Sequence, residues 1–78
     1  VGLTAAFMAA GANGVCVSLW PVDDRSTSIF MSSFYEKIAD GDFFHHALSE
    51  VKREFIDGQH GEEYKRPYYW APFVYYGK

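Results

Sequence analysis

The chain has a single cysteine, Cys16, so no disulfide can form within it. That excludes the stapled frameworks of small secreted proteins and fits a reducing, cytoplasmic setting. Lysines and arginines never cluster beyond adjacent pairs, and 7 of them against 10 acidic residues leave a net charge of −3. Such a balance lacks the basic footprint that nucleic-acid binding needs. The longest apolar stretches run to about six residues, far below the roughly 20 that span a bilayer. Neither nucleic acid nor membrane is therefore an expected partner. No repeat or low-complexity tract appears, no secretory leader is expected, and the first residue is Val1 rather than a methionine. Metal-ligand spacings such as H-E-x-x-H are missing too, so no metal or other cofactor is expected.

What is present is apolar and aromatic. Hydrophobic residues make up 49% of the 78, enough for a globular domain but for no more than one. Leu3, Phe7 and Ala10 share one helical face, so Leu3 to Ala10 is expected to be a short helix stopped by Gly11 and Asn13-Gly14. "VCVSLW", Val15 to Trp20, reads as a strand apolar on both faces, the mark of a covered strand in a parallel sheet. Pro21 cannot donate to a ladder and ends it.

Phe30, Met31, Phe34, Tyr35 and Ile38 form a stripe that predicts a helix over Arg25 to Ala39, closed by Gly41. A second stripe, Phe44, Ala47, Leu48, Val51 and Phe55, predicts a helix over Phe43 to Ile56, capped by Asp42 and ended by Gly58. A polar loop follows, and "YYWAPFVYYGK" reads as a closing strand. The order helix-strand-helix-helix-strand points to an α/β fold with a mostly parallel sheet, although the last strand could run antiparallel at an edge. Two strands alone do not make a stable sheet; about three are needed. The chain is thus expected to be part of a larger α/β domain, or else to complete its sheet with a second copy.

Chemistry concentrates in "SLWPVDD", Ser18 to Asp24. Asp23 and Asp24 follow the carboxyl end of a strand, where open α/β sheets bind ligands. A carboxylate there can pair with an arginine or lysine side chain. Equally, either aspartate can cap the helix that follows. Trp20 can wall such a pocket or simply pack at the strand end. Cys16 lies inside an apolar strand and reads as structural. His45 and His46 are adjacent on a helix and diverge, and His60 lies in a loop, so none forms a ready ligand or catalytic pair. Tyr68, Tyr69, Trp70, Phe73, Tyr75 and Tyr76 lack the basic groove of a base-stacking platform and read as core and edge packing.

"GLTAAFMAAGANGVCVSLWPVDD", "FYEKIADG" and "PYYWAPFVYYG" together resemble the C-terminal part of CHAT domains, caspase-like domains found with tetratricopeptide repeats. The resemblance covers essentially the whole chain, and "SLWPVDD" and "PYYWAPFV" are its specific segments. It implies the C-terminal part of a caspase-like three-layer sandwich, spanning residues 1–78 and lacking the N-terminal part that carries a His/Cys dyad. No residue here matches either dyad member. Separases are similar in this stretch, with an aspartate that accepts basic residues; Asp24 is the better match, with Asp23 beside it. The resemblance thus implies a piece of a cysteine endopeptidase, with Asp24, Asp23 and Trp20 contacting a peptide or protein substrate that carries Lys or Arg before the cleaved bond. Its implied partners are the rest of the same domain and tetratricopeptide repeats. The alternative is a CHAT-like interaction or scaffold module without catalysis.

Overall fold

The structure, a computed structural model, describes residues 5–8 and 14–77, with backbone alone for 5–8 and Gly14. Its elements are β1 (Ala5–Met8), β2 (Gly14–Ser18), α1 (Asp24–Ala39), α2 (Phe44–Ile56), two short 3₁₀ turns at Glu62–Lys65 and Pro67–Tyr69, and β3 (Phe73–Gly77). The expected strand and both helices are therefore present, while the closing strand expected over "YYWAPFVYYGK" is confined to Phe73–Gly77, and Tyr68 and Tyr69 lie in a 3₁₀ turn.

Residues 5–8, expected in a helix, form a strand instead. The run Ala-Ala-Phe-Met is apolar throughout, and a run that short does not separate helix from buried strand by periodicity. What decides is the open edge of β2, whose backbone groups need partners. β1 supplies them antiparallel, with Phe7 opposite Cys16 and Ala6 opposite Val17. The rest of the expected helix and its stop signal, Leu3, Ala9, Ala10, Gly11 and Asn13, lie outside the described residues.

The sheet order is β1-β2-β3, and β3 is antiparallel to β2, with Cys16 opposite Tyr75 and Ser18 opposite Phe73. The expectation of a mostly parallel sheet is thus corrected for the strands described here. The physical reason is the even number of helices between β2 and β3. α1 leads away from the strand end, α2 returns, and the loop at 57–72 carries the chain back to the end where β2 stopped. A backbone bond from Leu19 N to Pro72 O, 3.1 Å, marks that return.

Both helices lie on the same face of the sheet. Cys16, Phe73 and Tyr75 share one core with Phe30, Met31, Phe34, Ala47, Leu48, Val51, Phe55 and Tyr64. Phe30 stacks on Phe73 at 4.0 Å between ring centroids and meets Phe55 at 5.4 Å. Burying side chains of this size is worth about 1.5–3 kcal/mol each, which makes this cluster the main stabilising element. The described residues therefore make two layers, sheet and helices, rather than a complete three-layer sandwich.

Helix ends follow local chemistry. Asp23 is the N-cap of α1: its Oδ2 accepts from Ser26 N at 3.0 Å. Asp42 was expected to cap α2, but the cap position falls on Phe43, which makes no side-chain cap bond. Asp42 instead accepts from the Phe43 backbone N–H and pairs with His46. At the other ends, Gly41 and Gly58 take φ of +96° and +82°, the left-handed turn that follows a helix. Asp42 N then bonds Lys37 O and Gln59 N bonds Glu54 O, each at 3.0 Å, closing both helices the same way. A side chain with Cβ at either glycine would be strained.

Candidate functional site

The site is built where β2 runs out. Ser18 is buried, its register partner is Phe73, and its Oγ donates to the Trp20 carbonyl. Pro21 then blocks further pairing, and the chain turns into α1. This positions Trp20, Asp23 and Asp24 beyond the end of the central strand of the described sheet.

The two aspartates divide the roles that the sequence left open. Asp23 spends a carboxylate oxygen on the first turn of α1, and its carbonyl accepts from Ser26 Oγ and Thr27 N. Asp24 is exposed and has no hydrogen-bond or ion-pair partner among the described residues. It lines a shallow groove of about 420 Å³ along α1 with Thr27, Ser28, Met31, Ser32 and Tyr35. Capping thus fixes Asp23, and Asp24 is left facing outward.

Trp20 does not line that groove. It is 38% exposed, and its Nε1–H donates to the Tyr68 carbonyl at 3.2 Å. Tyr68 in turn donates its Oη–H to the Pro21 carbonyl at 2.8 Å. The structure therefore brings Trp20 to Tyr68, and gives Trp20 and Asp24 separate surroundings.

A second polar centre was not read from the sequence. Glu54 of α2 accepts from Ser33 Oγ (2.8 Å) and from His60 Nε2 (2.9 Å), and pairs with Lys37 Nζ. Burial alone would raise its pKa, but the hydrogen bonds from Lys37, His60 and Ser33 outweigh that and hold it below the ordinary value. Lys37 is raised in turn, chiefly by its hydrogen bond to Glu54. Together with Ser28, Ser32, Tyr35 and Gln59, Glu54 and His60 line a wider, open groove of about 920 Å³. Three donors engage the carboxylate, so Glu54 joins α1, α2 and the loop.

The remaining candidates are accounted for by structure. Cys16 is fully buried, and burial pushes its thiol up to about 11, with Lys52 opposing. A thiol so poised is a poor nucleophile at neutral pH. His46 pairs with Asp42, His45 meets the ring edge of Tyr75 at 5.4 Å, and His60 is held by Glu54. Tyr69 and Trp70 pack against the core, as does buried Phe73; Tyr76 stays exposed on the edge. Among the described residues no group of three His, Cys, Asp or Glu could hold a metal ion. No helix among them is long and apolar enough to cross a membrane.

These features define a mixed α/β unit with a carboxylate and two aromatic side chains at the end of its central strand. The CHAT domain family model matches residues 1–78, and the chain belongs to that family. It is similar to tetratricopeptide repeat protein 28 of Homo sapiens, 36% identical over 77 residues, which cover 99% of this chain and 3% of that protein. The Mus musculus protein of the same name is 35% identical over 77 residues, with the same coverage. The chain thus spans only a small part of these relatives. No solved structure gives a significant match.

Proposed function

We propose that this chain is the C-terminal portion of a caspase-like cysteine peptidase domain and that it supplies core strands and a substrate-recognition loop. The intact domain would add further strands and helices to make the three-layer sandwich. Its histidine and cysteine would lie in that additional part. There the thiolate would attack the peptide carbonyl, and the imidazole would pass its proton to the leaving amine. Tetratricopeptide repeats would accompany the domain, in keeping with the names of its relatives.

The observation that carries the reading is the carboxylate of Asp24, past the end of β2 and unpartnered among the described residues. Its neighbour Asp23 is already committed to the helix cap. A lysine or arginine before the cleaved bond would meet a carboxylate that sits in the first turn of α1 without an ion-pair partner among the described residues. Trp20 offers an aromatic face nearby in sequence against which the stem of such a residue can lie.

The test uses the complete protein. Asp24→Ala should slow cleavage after Arg and Lys more than Asp23→Asn does. Equal rates for wild type and both variants would remove the recognition claim.

A second reading, a docking module without catalysis, is favoured by the exposure of Phe43 at 81%, an aromatic ring outside the core and both grooves of the described residues. An arginine-bearing electrophilic probe separates the two. Covalent labelling of a cysteine other than Cys16 in the folded protein supports the peptidase. Labelling that appears only after denaturation supports the docking module.

A further inference from the structure

Trp20 and Tyr68 are large aromatic residues that the core does not use. They are 38% and 48% exposed, and neither belongs to the buried cluster. Yet they are joined across 48 residues of sequence by the bond from Trp20 Nε1 to the Tyr68 carbonyl. The return bond, Tyr68 Oη to the Pro21 carbonyl, closes a ring between the two segments. A purely structural stitch at this place already exists in the backbone bond between Leu19 N and Pro72 O. The side-chain pair adds something the backbone bond cannot: it fixes the direction in which an exposed indole points.

Tyr68 is well placed to do this because its own segment is rigid. Pro67 opens a 3₁₀ turn, and Trp70 N and Ala71 N both bond back to the Pro67 carbonyl, at 3.2 and 2.8 Å. Trp70 Nε1 anchors the same turn to the Lys65 carbonyl at 3.0 Å. The ring of Tyr68 rests edge-on against Tyr69, 5.1 Å between centroids, and Tyr69 meets core residue Tyr64 at 5.0 Å. A line of rings therefore connects the buried core to the hydroxyl that holds Pro21. An exposed Trp20 without such a strap would sample several rotamers, and each would have to be given up on binding.

We infer that Tyr68 is a positioning residue for Trp20: its hydroxyl, bound to the Pro21 carbonyl, pre-sets the indole as an exposed contact for the bound peptide, outside the groove that Asp24 lines. This rests on the recognition role proposed above for Trp20 and Asp24. Tyr68 need not touch the peptide. Its effect runs through the 20–21 loop.

The experiment uses the complete protein labelled with 5-fluorotryptophan, with Trp20→Phe identifying the Trp20 resonance by difference. The probe is a fluorescent decapeptide with a central arginine, and its citrulline twin is the control. Tyr68→Phe keeps the ring and the carbonyl acceptor and removes only the strap. The variant should shift or broaden the Trp20 resonance. It should also weaken arginine-peptide binding about three- to tenfold, the scale of one lost hydrogen bond, and leave the thermal midpoint nearly unchanged. Citrulline-peptide binding should stay weak in every variant.

An unmoved Trp20 resonance would overturn the positioning role. So would a moved resonance with unchanged arginine-peptide affinity, while Trp20→Phe and Asp24→Ala still weaken binding; the recognition reading would then survive alone. If neither of those variants alters binding, the recognition reading fails, and the role of Tyr68 fails with it.

Discussion

The Lys37 ammonium on α1 and the Glu54 carboxylate on α2 are paired across the helix-helix seam, and the same carboxylate holds Ser33 and His60. One side chain, 16% exposed, thus joins both helices to the loop that leads to the 3₁₀ turns. The cap at Gly58 turns the chain back over the helix end and brings His60 to Glu54.

Glu54→Ala is expected to destabilise the protein by about 2 kcal/mol, because it strands three partly buried donors. The effect should depend on pH in a definite direction. Since the folded-state pKa of Glu54 is lowered, its contribution is complete above the unfolded value of about 4.3 and is lost as pH falls through the folded value beneath it. Lys37, raised, adds a part that is present at neutral pH and lost only in strong alkali. Urea unfolding of wild type and Glu54→Gln across acid pH checks this: the gap between them should narrow below about pH 4. A gap that stays constant into acid would contradict the pairing.

Asp23 and Asp24 should separate in stability as they do in geometry. Asp23→Ala removes the N-cap and should cost about 1 kcal/mol, whereas Asp23→Asn, which can still accept from Ser26 N, should cost little. Asp24→Ala should cost less than Asp23→Ala. Chemical denaturation of the three variants decides it, and a larger loss for Asp24→Ala would reverse the assignment.

Cys16 should resist alkylation. With the thiol buried and pushed up to about 11, iodoacetamide at mildly alkaline pH should label it only as fast as the protein opens. Mass spectrometry of native and urea-treated samples measures the ratio. Rapid labelling of the native chain would show the strand to be open.

Tyr75 carries a buried hydroxyl with no hydrogen-bond partner among the described residues, and its ring packs on Phe44 at 4.8 Å and His45 at 5.4 Å. Tyr75→Phe should therefore be neutral or stabilising by up to about 1 kcal/mol. A thermal midpoint several degrees below wild type would mean that the hydroxyl is satisfied in solution by a group outside the described residues.

The helices were legible because their information is local. The stripe from Phe30 to Phe34 and that from Ala47 to Phe55 fix which faces are buried, and Gly41 and Gly58 sit where the turns require them. Strand direction was not legible, because "VCVSLW" reads the same beside a parallel or an antiparallel neighbour. "AAFM" was misread for lack of a polar residue to set a period. At the site, the sequence identified Asp23, Asp24 and Trp20 but could not divide cap from free carboxylate, since Asp favours both. Tyr68 and Glu54 were missed because their partners are 47 and 21 residues away; spacing within a motif carries no trace of contacts made that far along the chain.

The return bond from Leu19 to Pro72 has a consequence for biosynthesis. β2 and the 19–21 loop are made before the residues that hold them, 67–77, the last of those described. On the ribosome α1 and α2 can pair while β2 still lacks β3 and Trp20 still lacks its strap. The 19–21 loop is therefore completed only once residues 67–77 have emerged, and a nascent chain cut before Pro67 would hold a helical pair with β2 still lacking β3.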